Sequence, residues 1–337
     1  MVNNKYTIAT LASHSALQIL KGAKDEGFET LCFVKKDNYD FYSNYTFIDN
    51  FEVLNDYTEL TAIEKKYNST KLIVIPHGSF VAYLGEKFDT KTGLKYFGNK
   101  KILAVEADRT LQSKWLNSAG IKTPIVFTDA RLVDRPVIIK TYGAKGGQGY
   151  SLCSDMGSIK KTIKSLGNQK YIIQEYIVGA PVYIQFFYSL IKNKLEITGC
   201  DRRYESTIDG IGRIPAHMHN KLALDPSFTV VGNFPIVLRE SLLPKIYKMG
   251  LDIVKKSVIL APPRGLFGPF CLETVIDGDM NVVAIEISCR IVAGTNLFIN
   301  GSPYMDLIYN KPVSMGRRIA MEIKQALNEN NIQQILT

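Results

Sequence analysis

The stretch that decides the fold is Phe267–Asn296, F-G-P-F-C-L-E-T-V-I-D-G-D-M-N-V-V-A-I-E-I-S-C-R-I-V-A-G-T-N. Two runs rich in Val, Ile and Leu flank Asp277, Gly278 and Asp279, a pattern that predicts a β-hairpin. With Asp279 and Met280 at the tip, alternation along the strands sets Glu273 directly opposite Glu286 on one face. Facing carboxylates repel and destabilise the pair unless a cation lies between them. A hard divalent ion of the Mg²⁺ kind, which also takes phosphate oxygens, would supply the charge. The alternative is an exposed hairpin face with solvated acids. Ser288, Arg290 and Asn296 then add polar groups where a core strand would stay apolar.

Outward from this hairpin, the 337 residues have material for a large core and two or three subdomains. A hydrophobic content of 46% and a charged content of 22% are those of an ordinary globular protein. No apolar run approaches the ~20 residues of a membrane span, and the N-terminus has no signal-peptide layout. Five scattered cysteines without C-x-x-C spacing favour reduced, buried thiols, and with them a cytoplasmic setting. The formal charge of +9 suits nucleic acid or anionic small molecules. Dispersed lysines with no basic tract favour the latter, so no nucleic acid and no membrane partner is expected.

The N-terminal part reads as a β-α-β unit: strand Tyr6–Ser13, helix His14–Lys24, strand Thr30–Val34. Ser13, His14 and Ser15 stand at the start of the helix, where free N–H groups make a phosphate site; the serines alone also fit plain caps. A strand at Lys71–Ile75 leads into P-H-G-S-F, so His77 and Ser79 would lie beside His14 at the carboxyl ends of the strands. A further strand is expected at Lys101–Val105. Then Asp108 caps a helix with Leu111, Trp115 and Leu116 on its buried face. Lys114 reads by itself as a surface lysine.

After Pro124 the composition changes. A strand bearing Lys140 is expected, then a glycine-rich loop in which Gly143, Gly146, Gly147 and Gly149 would let the backbone approach a polyphosphate closely, although it is neither a P-loop nor a Rossmann fingerprint. Tyr171–Val178 is a strand, and Val182–Leu190 pairs with Leu195–Gly199. His217 and His219 alternate along an extended segment, structural or at most facing substrate. Helices are expected at Leu242–Val258 and Gly316–Leu327.

In this order the parts resemble an ATP-grasp ligase, and more narrowly the archaeal formate-dependent 5-formaminoimidazole-4-carboxamide ribotide synthetases. S-H-S-A-L, P-H-G-S-F-V-A-Y-L-G, C-D-R-R-Y-E-S-T-I-D-G, G-N-F-P-I-V-L-R-E-S-L-L and E-I-S-C-R-I-V-A-G-T-N carry the likeness, which covers essentially the whole chain. The resemblance implies an α/β ATP-grasp fold behind an N-terminal doubly wound parallel sheet. The units would be residues 1–105, binding substrate, and 106–337, the ATP-grasp domain with a lid at about 125–183. It implies that Lys114, Lys140, Gly146 and Gly147 meet the ATP phosphates, Gln174, Glu175 and Ile177 the adenine, and Glu205 the nucleotide. Glu273 and Glu286 would hold Mg²⁺ or Mn²⁺, and His14, Ser79 and Asn233 the aminoimidazole ribotide (AICAR). Formate and ATP are the other ligands, in a homo-oligomer. Arg290, expected on the strand face of Glu286, would orient formate, or else pair with Glu273 or Glu286. Two departures stand out: Pro181 occupies the usual place of a ribose-binding glutamate, and Ser288 that of a metal-binding asparagine.

Overall fold

The computed structural model describes residues 6–60, 66–67, 71–80, 93–141, 150–219, 221 and 227–337. Strands β1 (Thr7–Leu11), β2 (Glu29–Lys35), β3 (Asn50–Leu54) and β4 (Leu72–Val74) form a parallel sheet in the order β3-β2-β1-β4. Its inner strands are almost wholly buried, as befits a parallel sheet covered on both faces. Helix α1 (Ala16–Asp25) links β1 to β2 and buries Ile19, Leu20 and Ala23. Chain order reverses between β1 and β4, so the loops leaving these two strands meet at the carboxyl edge.

The strand expected at Lys101–Val105 is instead helix α2 (Lys100–Ala107). Its apolar run is too short for periodicity to separate the two states. Asn99 starts the helix by accepting the Lys101 N–H, and Ile102, Leu103, Val105 and Glu106 are buried. Helix α3 (Arg109–Ser118) follows at once, with Asp108 accepting from the N–H groups of Thr110 and Leu111 as expected. Its buried face is Gln112, Trp115 and Leu116, whereas Leu111 is exposed. A boundary at residue 105 therefore falls inside α2.

A small antiparallel sheet comes next: β5 (Val126–Phe127), β6 (Val137–Thr141), β7 (Tyr150–Cys153) and β8 (Tyr171–Glu175), ordered β5-β8-β6-β7. Helix α4 (Met156–Leu166) closes over it around Val137, Ile139, Cys153, Ile159 and Ile173. The glycine-rich loop, with Gly146 and Gly147, lies outside the described residues.

The central sheet is β9 (Ala180–Ser189), β10 (Lys194–Glu205), β11 (Val230–Pro235), β12 (Gly268–Ile276) and β13 (Val282–Ser288), in the order β11-β10-β9-β12-β13. Helix α5 (Leu243–Leu260) buries Ile246, Ile253 and Val254, and Trp115 of α3 donates its indole N–H to the Ile253 carbonyl. His217 and His219 lie in one helical turn, Ala216–His219, rather than on an extended stretch.

Two last helices, α6 (Pro303–Tyr309) and α7 (Met315–Asn328), carry the chain back to its beginning. Helices α1 and α7 touch backbone to backbone: a Cβ at Gly22 would lie 2.1 Å from Arg317 N, and one at Gly316 2.1 Å from Gln18 O. Buried Arg318 of α7 pairs with Glu196 of β10 and with Glu322, and the chain end bonds Tyr96 through Thr337. In space the C-terminal helix thus lies against the first α/β unit.

Candidate active site

The β12–β13 hairpin sets Glu273 directly opposite Glu286, but by another route than simple alternation from the tip. Ile276 pairs with Val282, which centres the turn on Asp279; from that register Glu273 would face Ile285. A bulge between Glu273 and Thr274 shifts the count by one and brings Glu286 into place. Both acids have a cationic neighbour. Arg203 Nη2 lies 2.5 Å from Glu273 Oε1, and Arg109 Nη1 lies 3.5 Å from Glu286 Oε2. Burial, then the charge of Glu273, pushes the Glu286 carboxyl up, against Arg109 and Lys140.

One cleft between the small sheet and this hairpin is lined by Lys114, Lys140, Gln174, Arg109 and Glu286. Lys140, on β6, is buried, with its ammonium over the Tyr150 ring. Burial and the nearby Arg109 lower its pKa to about 8. Lys114 stays exposed on α3 yet borders the same cleft. Gln174 is buried on β8. Next to it, Glu175 is engaged by the structure: its carboxylate accepts from Ile125 N–H and from Arg135. Ile177 is half-buried just beyond β8, and Glu205 is half-buried at the end of β10.

The second cluster forms where the loops after β1 and β4 meet. Ser79 Oγ donates to Ser13 Oγ at 2.9 Å, and the rings of His14 and His77 stack with centroids 5.3 Å apart. His77 is fully buried: Nε2–H donates to the Leu11 carbonyl while Nδ1 accepts the Ser79 N–H. It shapes the loop rather than reaching toward a ligand. Ser15 precedes α1 but makes no side-chain cap bond; its hydroxyl goes to His14 Nδ1. His14 itself has φ 53°, and its carbonyl accepts from Asn296, which Gln18 holds in turn. His14 is exposed on its outer side. Even so, desolvation by the surrounding protein, and then His77, Arg290 and Arg203, push its pKa below the imidazole range, so the ring is neutral at pH 7.

Arg290 connects the two clusters. It lies beyond the end of β13, so it does not share that strand with Glu286, and it pairs with Glu106 of α2 at 3.0 Å rather than with either facing acid. Its Nη1 and His14 Nε2 both border the space over Gly78, where a Cβ would lie 3.3 Å and 2.9 Å from them. Asn233, on edge strand β11, donates its amide to buried Asp201.

Arg109, Arg203, Glu106 and Asp201 escaped the sequence reading. A charged residue inside a β-rich run, as in C-D-R-R-Y, was the available signal for Asp201 and Arg203. Nothing local marked Arg109 or Glu106, whose partners lie more than 170 residues away.

The comparisons with known proteins bear on this geometry. Residues 8–127 match a family described as a protein of unknown function, DUF1246, and residues 154–337 match a domain of unknown function, DUF1297. A 5-formaminoimidazole-4-carboxamide-1-(beta)-D-ribofuranosyl 5'-monophosphate synthetase of Pyrococcus horikoshii is 49% identical, with 98% of this chain and 99% of that one covered. Its counterpart in Thermococcus kodakarensis is 48% identical over 98% and 99%. This chain belongs to that synthetase family.

The crystal structure of an IMP biosynthesis protein PurP from Thermococcus kodakaraensis superposes with a TM-score of 0.80 at 35% identity, covering 98% of this chain and all of that one. An N5-carboxyaminoimidazole synthetase from Staphylococcus aureus, solved with ADP, shares only the fold: TM-score 0.62, 13% identity, 87% of this chain and 73% of that one. The chain therefore has the ATP-grasp fold expected from the order of its motifs. None of its described helices is long and apolar enough to cross a membrane, and all five cysteines are free and buried.

Proposed function

We propose that the chain is an ATP-dependent carbon–nitrogen ligase that formylates the ring amine of AICAR with formate, releasing ADP and phosphate on the route to IMP. The observation that carries this reading is the facing pair Glu273 and Glu286 beside Lys140 and Lys114. The chain around it aligns end to end with synthetases named for the formylated product.

Formate acylates poorly because oxide is a poor leaving group. A formate oxygen attacks the γ-phosphorus, the bond to ADP breaks, and the formyl phosphate that results can expel phosphate when the amine attacks its carbonyl carbon. Lys140 and Lys114 neutralise charge on the transferred phosphoryl group. Gln174, Glu175 and Ile177 receive adenine; Gly146 and Gly147, outside the described residues, are assigned to the phosphates; Glu205 holds the ribose side. His14, Ser79 and Asn233 hold AICAR, with neutral His14 as a hydrogen-bond partner rather than a charge.

The donor set fits a hard divalent ion, Mg²⁺ or Mn²⁺: two facing oxygen donors of like charge. Among the described residues no third His, Cys, Asp or Glu joins them, which leaves positions for phosphate and water. Glu273 and Glu286 would hold such an ion, which when bound would supply positive charge to offset that of the phosphates. Arg290 is the formate residue. Its Nε is buried without a hydrogen-bond partner among the described residues, and it borders the same space as His14. Formate there would sit next to the amine it formylates, and proximity of this kind contributes roughly 7–11 kcal/mol.

We take the first unit, to about residue 105, as the ribotide side and the remainder as the ATP side, with a lid at 125–183. A homo-oligomer working in the cytoplasm belongs to the same proposal. ADP release with AICAR and formate, each omitted in turn, tests it. Release is expected only with both; equal release without formate sinks the donor assignment.

A further inference from the structure

Asp201 is buried in the central sheet, and both its oxygens are engaged by amides. Gln185 Nε2 donates to Oδ1 at 2.6 Å, and Asn233 Nδ2 donates to Oδ2 at 2.7 Å. Gly294 closes the remaining side, since a Cβ there would stand 2.3 Å from Oδ1. Burial pushes the Asp201 carboxyl up while the two amide donors favour its charged form, and in that form it only accepts hydrogen bonds. Both amides must therefore turn their NH₂ groups inward, and the carbonyl oxygen of Asn233 is left to face outward. Asn233 pairs with Arg203 across β10 and β11, and residues directly opposite one another share a face. Asp201, two residues before Arg203, is on that face too, and Tyr183 carries it on to Glu273. The outward carbonyl thus belongs to the surface that also presents Glu273 and Glu286.

We propose that Asp201 is a positioning residue that fixes Asn233 with its carbonyl outward, so that the pocket accepts the carboxamide N–H of the ribotide and rejects the corresponding carboxylate. The inference rests on the AICAR reading above. Of the two neighbouring ring substituents, the amine must stay free to attack, whereas the carboxamide is planar, neutral and carries N–H donors. A carboxylate in its place would set its oxygens against the Asn233 carbonyl, with the negative charge of Asp201 just behind.

Titration calorimetry with AICAR and with 5-aminoimidazole-4-carboxylate ribotide tests this on the wild-type protein and on Asp201→Asn. An asparagine at 201 no longer dictates which way the Asn233 amide turns. The wild type should prefer the carboxamide, and Asp201→Asn should lose roughly tenfold or more of that preference, mostly by gaining carboxylate affinity, with ADP affinity unchanged. Equal weakening of both ribotides at unchanged preference would make Asp201 structural only and overturn the proposal. If the wild type binds neither ribotide, the AICAR reading fails and takes this inference with it. Asn233→Ala, at a half-buried edge position, serves if Asp201→Asn does not fold: its preference must fall about as far, and an unchanged preference overturns the proposal.

Discussion

Arg290 Nη2 lies 3.0 Å from Glu106 Oε1, and the other oxygen of Glu106 accepts the Cys289 N–H at 2.7 Å. One carboxylate on α2 thus fixes both the backbone and the guanidinium at the exit of β13. This holds a cation beside the His14 loop without pairing it to either facing acid. Of the rest of the fork, Nη1 makes one long bond of 3.5 Å to the Ile291 carbonyl, and buried Nε has no partner among the described residues.

Arg290→Lys keeps the charge and loses the fork. The formate requirement should rise about tenfold or more, in keeping with the loss of a charge-assisted hydrogen bond, while ATP and metal dependence change little. Initial rates against each ligand check this. A shift in metal dependence with formate dependence intact would make Arg290 a structural tie to Glu106.

Glu286→Gln removes one of two half-buried, facing charges. Turnover should fall roughly 10²-fold or more for want of the electrostatic clamp on the phosphates. The fold should persist, because repulsion with Glu273 is relieved. Circular dichroism and a coupled ADP assay follow the two effects separately; near-normal rates in saturating Mg²⁺ would refute the metal assignment.

His14→Ala should raise the AICAR requirement far more than the ATP requirement, since His14 sits in the loop after β1 and not in the cleft that contains Lys140. Steady-state KM values for both substrates decide it. Equal rises would mean that the two pockets are misassigned.

Lys140 offers a test by proton counting. Its pKa is lowered to about 8 in the free protein by burial and by Arg109. Triphosphate beside the ammonium favours its charged form and raises that value, so above about pH 8 nucleotide binding takes up as much as one proton and weakens as pH rises. Calorimetry in two buffers of different ionisation enthalpy at about pH 8.5 should show the uptake, and Lys140→Met should abolish it. Binding heats that do not depend on buffer in the wild type would remove Lys140 from the phosphate site.

Much of the architecture was legible because its signals are local. The alternation through Phe267–Ser288 marks a hairpin, Asp108 before a periodic run marks the start of α3, and apolar runs broken by S-H-S and P-H-G-S mark strands feeding polar loops. The meeting of those two loops also follows from chain order, because a parallel sheet has a point where that order reverses. The run Lys101–Val105 was not legible. Five residues that suit a strand or a helix equally are settled by what they pack against, and here Asn99 and the buried face of Ile102 and Val105 choose the helix.

Sequence by itself determined which residue types are at hand near the site: two acids on adjacent strands, a lysine on β6, histidines and serines in strand-end loops. Tertiary structure alone decided their pairing. The bulge beside Glu273 brings Glu286 opposite it although the turn is centred one step away, and a twofold side-chain period cannot foretell such a slip. Arg109, Arg203 and Glu106 become counterions only because distant segments converge, and burial then makes charge pairing obligatory. The outward face of Asn233 was settled last of all, by a carboxylate from the neighbouring strand that can only accept hydrogen bonds.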